Sequence, residues 1–141
     1  MNFYRYQWLA QRTANPNSTP SDKIENGILG MCGEAGECAD LLKKYLHQGH
    51  EFDREKLVRE LGDVLWYIAE TASGLGISLE DVARINLEKL RARYPDGFDP
   101  ERSIFRPEYM NKPMEIDKPM EDEAGKEALR KASKPCGDDR E

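Results

Sequence analysis

Two pairs of acidic residues carry the chemistry that this sequence can do. Glu34 and Glu37 stand in Gly33-Glu34-Ala35-Gly36-Glu37, and Glu60 and Asp63 stand in Glu60-Leu61-Gly62-Asp63. Each pair is spaced i,i+3 inside a segment of helical apolar periodicity, so each points two carboxylates the same way. Four carboxylates converging on one spot repel one another unless a cation neutralises them. An all-oxygen donor set suits a hard divalent ion, Mg²⁺ or Mn²⁺.

Four helices must position these acids. The first runs from about Asn2 to Thr13 and is rich in aromatics: Phe3, Tyr4, Tyr6 and Trp8. The run Asn15-Pro16-Asn17-Ser18-Thr19-Pro20 breaks it, and Ser21 or Asp22 can cap the second helix. The apolar stripe of that helix is Ile24, Ile28, Met31, Ala35, Cys38, Leu42 and Tyr45, and it ends near His47-Gln48-Gly49. Asp53 can cap the third helix, whose stripe is Leu57, Leu61, Val64, Leu65, Ile68 and Ala72. Ser78 with Asp81 three residues on opens a fourth helix that continues to Tyr94-Pro95. No strand pattern competes, so the expected fold is an all-α four-helix bundle.

The short connection around Gly49 to Asp53 makes the second and third helices antiparallel neighbours. Glu34 and Glu37 fall roughly 80° and 140° to one side of their stripe, and Glu60 and Asp63 roughly 100° and 160° to the same rotational side. The two pairs should therefore lie along one edge of the hairpin. Gly27, Gly30 and Gly33 line the approach to Glu34. Each costs about 1 kcal/mol relative to alanine in a helix interior, which makes sense if a ligand or another backbone must come close.

The chain has 141 residues, enough for one domain with a core. Its net charge of -6 argues against nucleic acid as a partner, because duplex binding leans on basic surface. No apolar run approaches the ~20 residues of a membrane span, and Met1-Asn2-Phe3-Tyr4-Arg5-Tyr6 lacks a signal-peptide layout. Cys32, Cys38 and Cys136 form no CxxC pair and no zinc spacing, and Cys32 and Cys38, within a helical segment, read as small core residues in a reducing cytoplasm. Neither histidine, His47 or His50, follows a Glu at i+3, which speaks against a di-iron bundle.

Candidate phosphate-holding groups lie beside the acids. Lys44 follows Glu37 by seven residues on the same helix edge. Asn86 falls inside the stripe of the fourth helix (Leu79, Val82, Ala83, Leu87, Leu90), where a buried amide needs partners. Lys89 and Arg93 follow at i+3 and i+7, and an amide with two cations could meet a polyphosphate. The first helix's aromatics could stack a base, but core packing is the better default for most of them. Trp66 and Tyr67 lie on adjacent faces of the third helix, so one ring should stand outside the packing of the protomer.

This arrangement resembles the MazG-like group of all-α nucleoside triphosphate pyrophosphohydrolases. The resemblance is carried by Glu34-x-x-Glu37, by Glu60-Leu61-Gly62-Asp63-Val64-Leu65-Trp66-Tyr67, and by Asn86-Leu87-Glu88-Lys89-Leu90-Arg91-Ala92-Arg93-Tyr94-Pro95-Asp96-Gly97-Phe98. It implies Mg²⁺-dependent cleavage of a nucleoside triphosphate to monophosphate and pyrophosphate. The four acids would be the metal ligands, and Glu34 or Glu37 would help deprotonate the attacking water. Asn86, Lys89 and Arg93 match positions linked to metal or phosphate. The resemblance further implies a homodimer or homotetramer with pockets shared between subunits, and a role in cleansing the nucleotide pool. Two alternatives stand beside it: an enzyme like phosphoribosyl-ATP pyrophosphatase, and a catalytically silent helical interaction module.

The expected domain is 1-106. Residues 107-141 are polar, charged and proline-broken, with Lys112-Pro113-Met114-Glu115 recurring as Lys118-Pro119-Met120-Glu121, and read as a disordered tail. Deleting the chain from Pro107 onward should leave helical circular dichroism and catalysis nearly unchanged. Loss of helical signal on truncation would show that the tail is part of the fold.

Overall fold

The computed structural model describes residues 1–104, so the expectation for the tail lies outside the described residues. These form α1 (Phe3–Gln11), α2 (Pro20–His47), α3 (Arg54–Gly74), α4 (Leu79–Arg93) and a short α5 (Pro100–Ile104). The fold is all-α, with no strand among the described residues.

Local chemistry sets the boundaries. Asn2, Asp53 and Ser78 accept the first-turn amides of α1, α3 and α4. The start of α2 differs from the expected Ser21 or Asp22 cap. Thr19 is the cap, Pro20 is the first helical residue, and Thr19 and Asp22 exchange side-chain to backbone bonds. Proline is welcome there because its missing N–H would have had no helical partner anyway. The sequence pattern also gave no separate α5, which Asp99 starts by accepting the Glu101 amide at 2.8 Å.

α2 and α3 form the long antiparallel hairpin, and their seam does not follow the aliphatic stripe of α2. It runs along Gly27 and Gly30, a line rotated by roughly 60° from the stripe. Gly27 is buried. A Cβ on Gly27 would fall inside the van der Waals shell of Thr71 Oγ1 and 2.9 Å from the Tyr67 carbonyl oxygen. A Cβ on Gly30 would enter the Tyr67 ring. Gly74 returns the contact against Ile24 and Pro20. Ile28, Leu42 and Tyr45, expected to face inward, are therefore exposed, as is Cys32, expected in the core, while Cys38 is half-buried. Among the described residues the buried apolar side chains are few: Ala69, Ala72 and Leu79.

α1 is fastened across α3 by polar side chains. The buried Gln7 donates from Nε2 to Ser73 Oγ (3.0 Å) and to the Ile77 carbonyl (3.1 Å), while its Oε1 accepts the Leu79 amide at 2.7 Å. One side chain thus joins α1 to the α3–α4 turn. Trp66 Nε1 donates to Thr13 Oγ1 and to the Ala10 carbonyl. Trp66 packs on α1 and Tyr67 on α2, their rings meeting edge to face at 5.0 Å. Both rings are half-buried within the protomer, so the expectation that one would stand outside its packing is corrected.

The glycines should separate by role. Gly27→Ala should destabilise by about 1–3 kcal/mol through overpacking, despite alanine's better helix propensity. Gly33→Ala, where nothing lies within 4 Å of the added methyl, should stabilise by up to about 1 kcal/mol. Urea titrations of the metal-free protein would check both signs.

Candidate metal centre

The seam puts the two acidic pairs against each other. Ligand oxygens of Glu34, Glu37 and Glu60 all lie within 4.8 Å of one another. Glu60, one of the most buried polar residues at 8% exposure, faces α2 directly, while Glu34 is half-buried and Glu37 exposed. Asp63 is exposed and lies about 60° around α3 from Glu60, so it flanks the trio. Its charge still bears on Glu34 and on Tyr6 of α1. Lys56 approaches Glu60 only to 4.0 Å.

Electrostatics mark the spot as cation-seeking. The Glu34 carboxyl is held above its usual value, first by burial and then by the charges of Glu37, Asp63 and Glu60. The Tyr6 hydroxyl is likewise pushed up, by burial first and Asp63 second. Octahedral coordination at 2.0–2.1 Å places ligand oxygens about 3.0 Å apart when adjacent and about 4.2 Å when opposite. Three oxygens within 4.8 Å of one another lie close to that range, and all are hard donors.

The other expected site residues lie apart from this trio. Lys44 shares the edge of Glu37 but donates to Asp40 at 2.6 Å, and Lys43 also pairs with Asp40. These two bonds lower the Asp40 carboxyl to about 2. Asn86 is not the buried stripe amide that was expected. Every residue from Asn86 to Ala92 is exposed, including Leu87 at 51%. α4 packs on α1 and α3 through its first turns, around Leu79, Val82 and Ala83, and its second half has no covering helix among the described residues. Lys89 is exposed, and Arg93 is half-buried with its guanidinium over Tyr94 at 5.9 Å.

Sequence reasoning passed over Glu70. It is 2% exposed and accepts from Gln11 Nε2 at 2.7 Å, and Gln11 Oε1 accepts from Lys23 Nζ at 3.0 Å. The chain of bonds ties α3, α1 and α2 together two turns above Asp63. A glutamate bracketed by Ala69, Thr71 and Ala72, seven residues after a motif acid, was the available signal.

Residues 23–98 match the MazG nucleotide pyrophosphohydrolase domain, and the match spans all four motif acids together with Asn86, Lys89 and Arg93. The chain belongs to the MazG family. Two curated proteins are similar to this chain. The Gene 37 protein of Mycobacterium phage L5 is 39% identical over 100 residues, covering 65% of this chain and 88% of that protein. The uncharacterized protein YvdC of Bacillus subtilis (strain 168) is 34% identical over 70 residues, covering 43% of this chain and 66% of that protein. No solved structure gives a significant match. Among the described residues no helix is long and apolar enough to cross a membrane. α1 precedes the matched MazG segment, so Tyr6, Gln7 and Gln11 come from outside it.

The raised Glu34 carboxyl fixes a direction for pH. A carboxyl with a raised folded pKa binds its proton more readily in the folded chain than in the unfolded one. Stability from this group therefore falls as pH rises from the ordinary glutamate value of 4.5 through the raised folded value. In EDTA, wild type should lose melting temperature across that window more steeply than Glu34→Gln. Parallel pH profiles for the two proteins would contradict this.

Proposed function

We propose that this MazG-family chain is a Mg²⁺-dependent nucleoside triphosphate pyrophosphohydrolase, with Mn²⁺ as a substitute, that cleaves (d)NTP to (d)NMP and pyrophosphate in the cytoplasmic nucleotide pool. The convergence of Glu34, Glu37 and Glu60 within 4.8 Å, inside the family segment, is the observation that carries it. Glu34, Glu37 and Glu60 would hold the ion, with Asp63 as the flanking fourth acid. When bound, the ion supplies electrostatic stabilisation for a polyphosphate and for the charge that develops on it.

The protein's own groups account for the rest. Glu34 and Glu37 are the bases at hand. The Glu34 carboxyl is held above its usual value, the direction that favours taking up a proton. Its oxygen takes the proton of the attacking water as the new P–O bond forms and the anhydride P–O bond breaks. Attack at the α- or the β-phosphorus gives the same two products. Lys44, Asn86, Lys89 and Arg93 are the proposed phosphate-binding groups, with Lys44 leaving Asp40 for the substrate.

A homodimer or homotetramer goes with this reading. Leu29 (65% exposed), Leu46, Val58, Leu61 (53%), Leu87 and Leu90 leave apolar side chains open on the protomer surface, and such surface supports an interface between copies. Association would also give the outer half of α4 a partner and bring its Asn86, Lys89 and Arg93 against a neighbouring seam.

A panel of nucleotides, phosphoribosyl-ATP included, assayed with Mg²⁺ and a pyrophosphate readout tests the reading. Pyrophosphate should appear only with Mg²⁺ or Mn²⁺. Glu37→Gln and Asp63→Asn should each lose at least about 100-fold in kcat/KM, a loss of about 2.7 kcal/mol, with helicity unchanged. Light scattering should give at least twice the protomer mass. Orthophosphate as the sole product, or full activity in EDTA, would refute the assignment, and an active monomer would refute the assembly.

A further inference from the structure

Beside the carboxylates lies a cavity of about 330 Å³, lined by Met1, Asn2, Phe3, Tyr6, Leu65 and Glu80. Its size is at the lower end of ordinary small-molecule sites, about 300–1,000 Å³. Four of the six lining residues precede the family segment that begins at residue 23. This chain therefore supplies most of the cavity from its own N-terminal helix.

We propose that this cavity receives the nucleobase of the substrate, and that Glu80 selects bases bearing an exocyclic amino group. The inference rests on the triphosphate reading above and adds which nucleotides the site takes.

Position makes the first argument. Tyr6 lines the cavity and also lies within the field of Asp63, so the cavity and the acidic centre share a wall. On α3, Gly62 lies about 100° around from Asp63, and Leu65 about 60° further. No atom comes within 4 Å of where a Cβ on Gly62 would stand. The surface between the acid and the cavity is thus bare, and a ribose with its phosphates can pass from Leu65 over Gly62 to Asp63.

Lining chemistry makes the second. Phe3, Tyr6 and Leu65 offer flat and aliphatic surface to the faces of a base. Asn2 and Glu80 supply the polar groups of the lining. Asn2 Oδ1 is engaged by the Arg5 amide at 2.8 Å, so Asn2 meets a ligand with the N–H groups of Nδ2. The Glu80 carboxylate offers only acceptor oxygens. The amino groups of cytosine, adenine and guanine donate to such an oxygen. Uracil and thymine place a carbonyl oxygen at that edge, and two acceptors facing each other repel. Glu80 lies in the first turn of α4, where a negative charge also suits the helix dipole. Dipole stabilisation alone requires no base preference, so selectivity separates the two roles.

The test is a kinetic panel of dCTP, dATP, dGTP, dUTP and dTTP with Mg²⁺, together with calorimetric binding of dCMP and dUMP. It uses the full chain, Glu80→Gln and Leu65→Trp. Wild type should favour the amino-bearing substrates by at least about tenfold in kcat/KM, since a site built to pair a polar group discriminates strongly against its absence. Glu80→Gln, whose amide both donates and accepts, should reduce the preference to under about threefold, chiefly through KM. Leu65→Trp should fill the cavity and weaken dCMP binding at least about tenfold, with helicity and oligomeric mass unchanged. Equal turnover of all five substrates would overturn the proposal and leave pyrophosphate release standing. So would a Glu80→Gln protein with wild-type preferences. A Leu65→Trp protein that changes mass would assign the cavity to contact between copies. If no triphosphate yields pyrophosphate, the catalytic reading fails and the base site falls with it.

Discussion

Everything at the acidic centre depends on how closely α3 can approach α2. Gly27 and Gly30 remove the side chains that would otherwise hold the helices at an ordinary spacing, and Thr71, the Tyr67 carbonyl and the Tyr67 ring take that room. Because the seam follows the glycine line, Glu34, one turn beyond Gly30, is turned toward α3 and meets Glu60. A seam along Ile28 and Leu42 would bury more aliphatic surface and turn Glu34 toward the hairpin's edge. The fold gives up helix propensity at two positions, about 1 kcal/mol each, and obtains a rigid placement of carboxylates.

That placement sets protein stability against readiness to bind. Crowded acids raise the free energy of the metal-free fold, as the upward displacement of Glu34 shows. Elsewhere the chain keeps its acids comfortable. Asp40 is bonded to two lysines, Asp81 to Ser78 and Arg84, and Asp22 to Thr19. Among the described residues three carboxylates gather only at the α2–α3 seam, where Lys56 reaches Glu60 at 4.0 Å. Repulsion of this kind is what a divalent ion relieves, and binding it draws on energy already stored in the fold.

Much of this was legible in the residues alone. The i,i+3 acid pairs, the capping residues at Asp53 and Ser78, and the short connection between them suffice for an antiparallel helical hairpin. Other features depend on partners that no local pattern reveals. Gly27 and Gly30 do not register as apolar, so the periodicity pointed to the Ile28–Leu42 face. Asn86 looked buried because a stripe implies a cover, and α4 lacks one over its second half. Gln7 and Gln11 read as ordinary polar residues. Their importance comes from the Leu79 amide, the Ile77 carbonyl and the Glu70 carboxylate, each distant in sequence by about 60 residues or more.

The thin interior has a consequence for how the molecule behaves on dilution. With Ala69, Ala72 and Leu79 as the buried apolar side chains among the described residues, little apolar surface is closed off within one protomer. If copies associate through the open leucines, as proposed, folding and assembly would be a single equilibrium governed by mass action. The melting midpoint would then move with protein concentration, and the population of working sites would grow faster than linearly with the amount of chain.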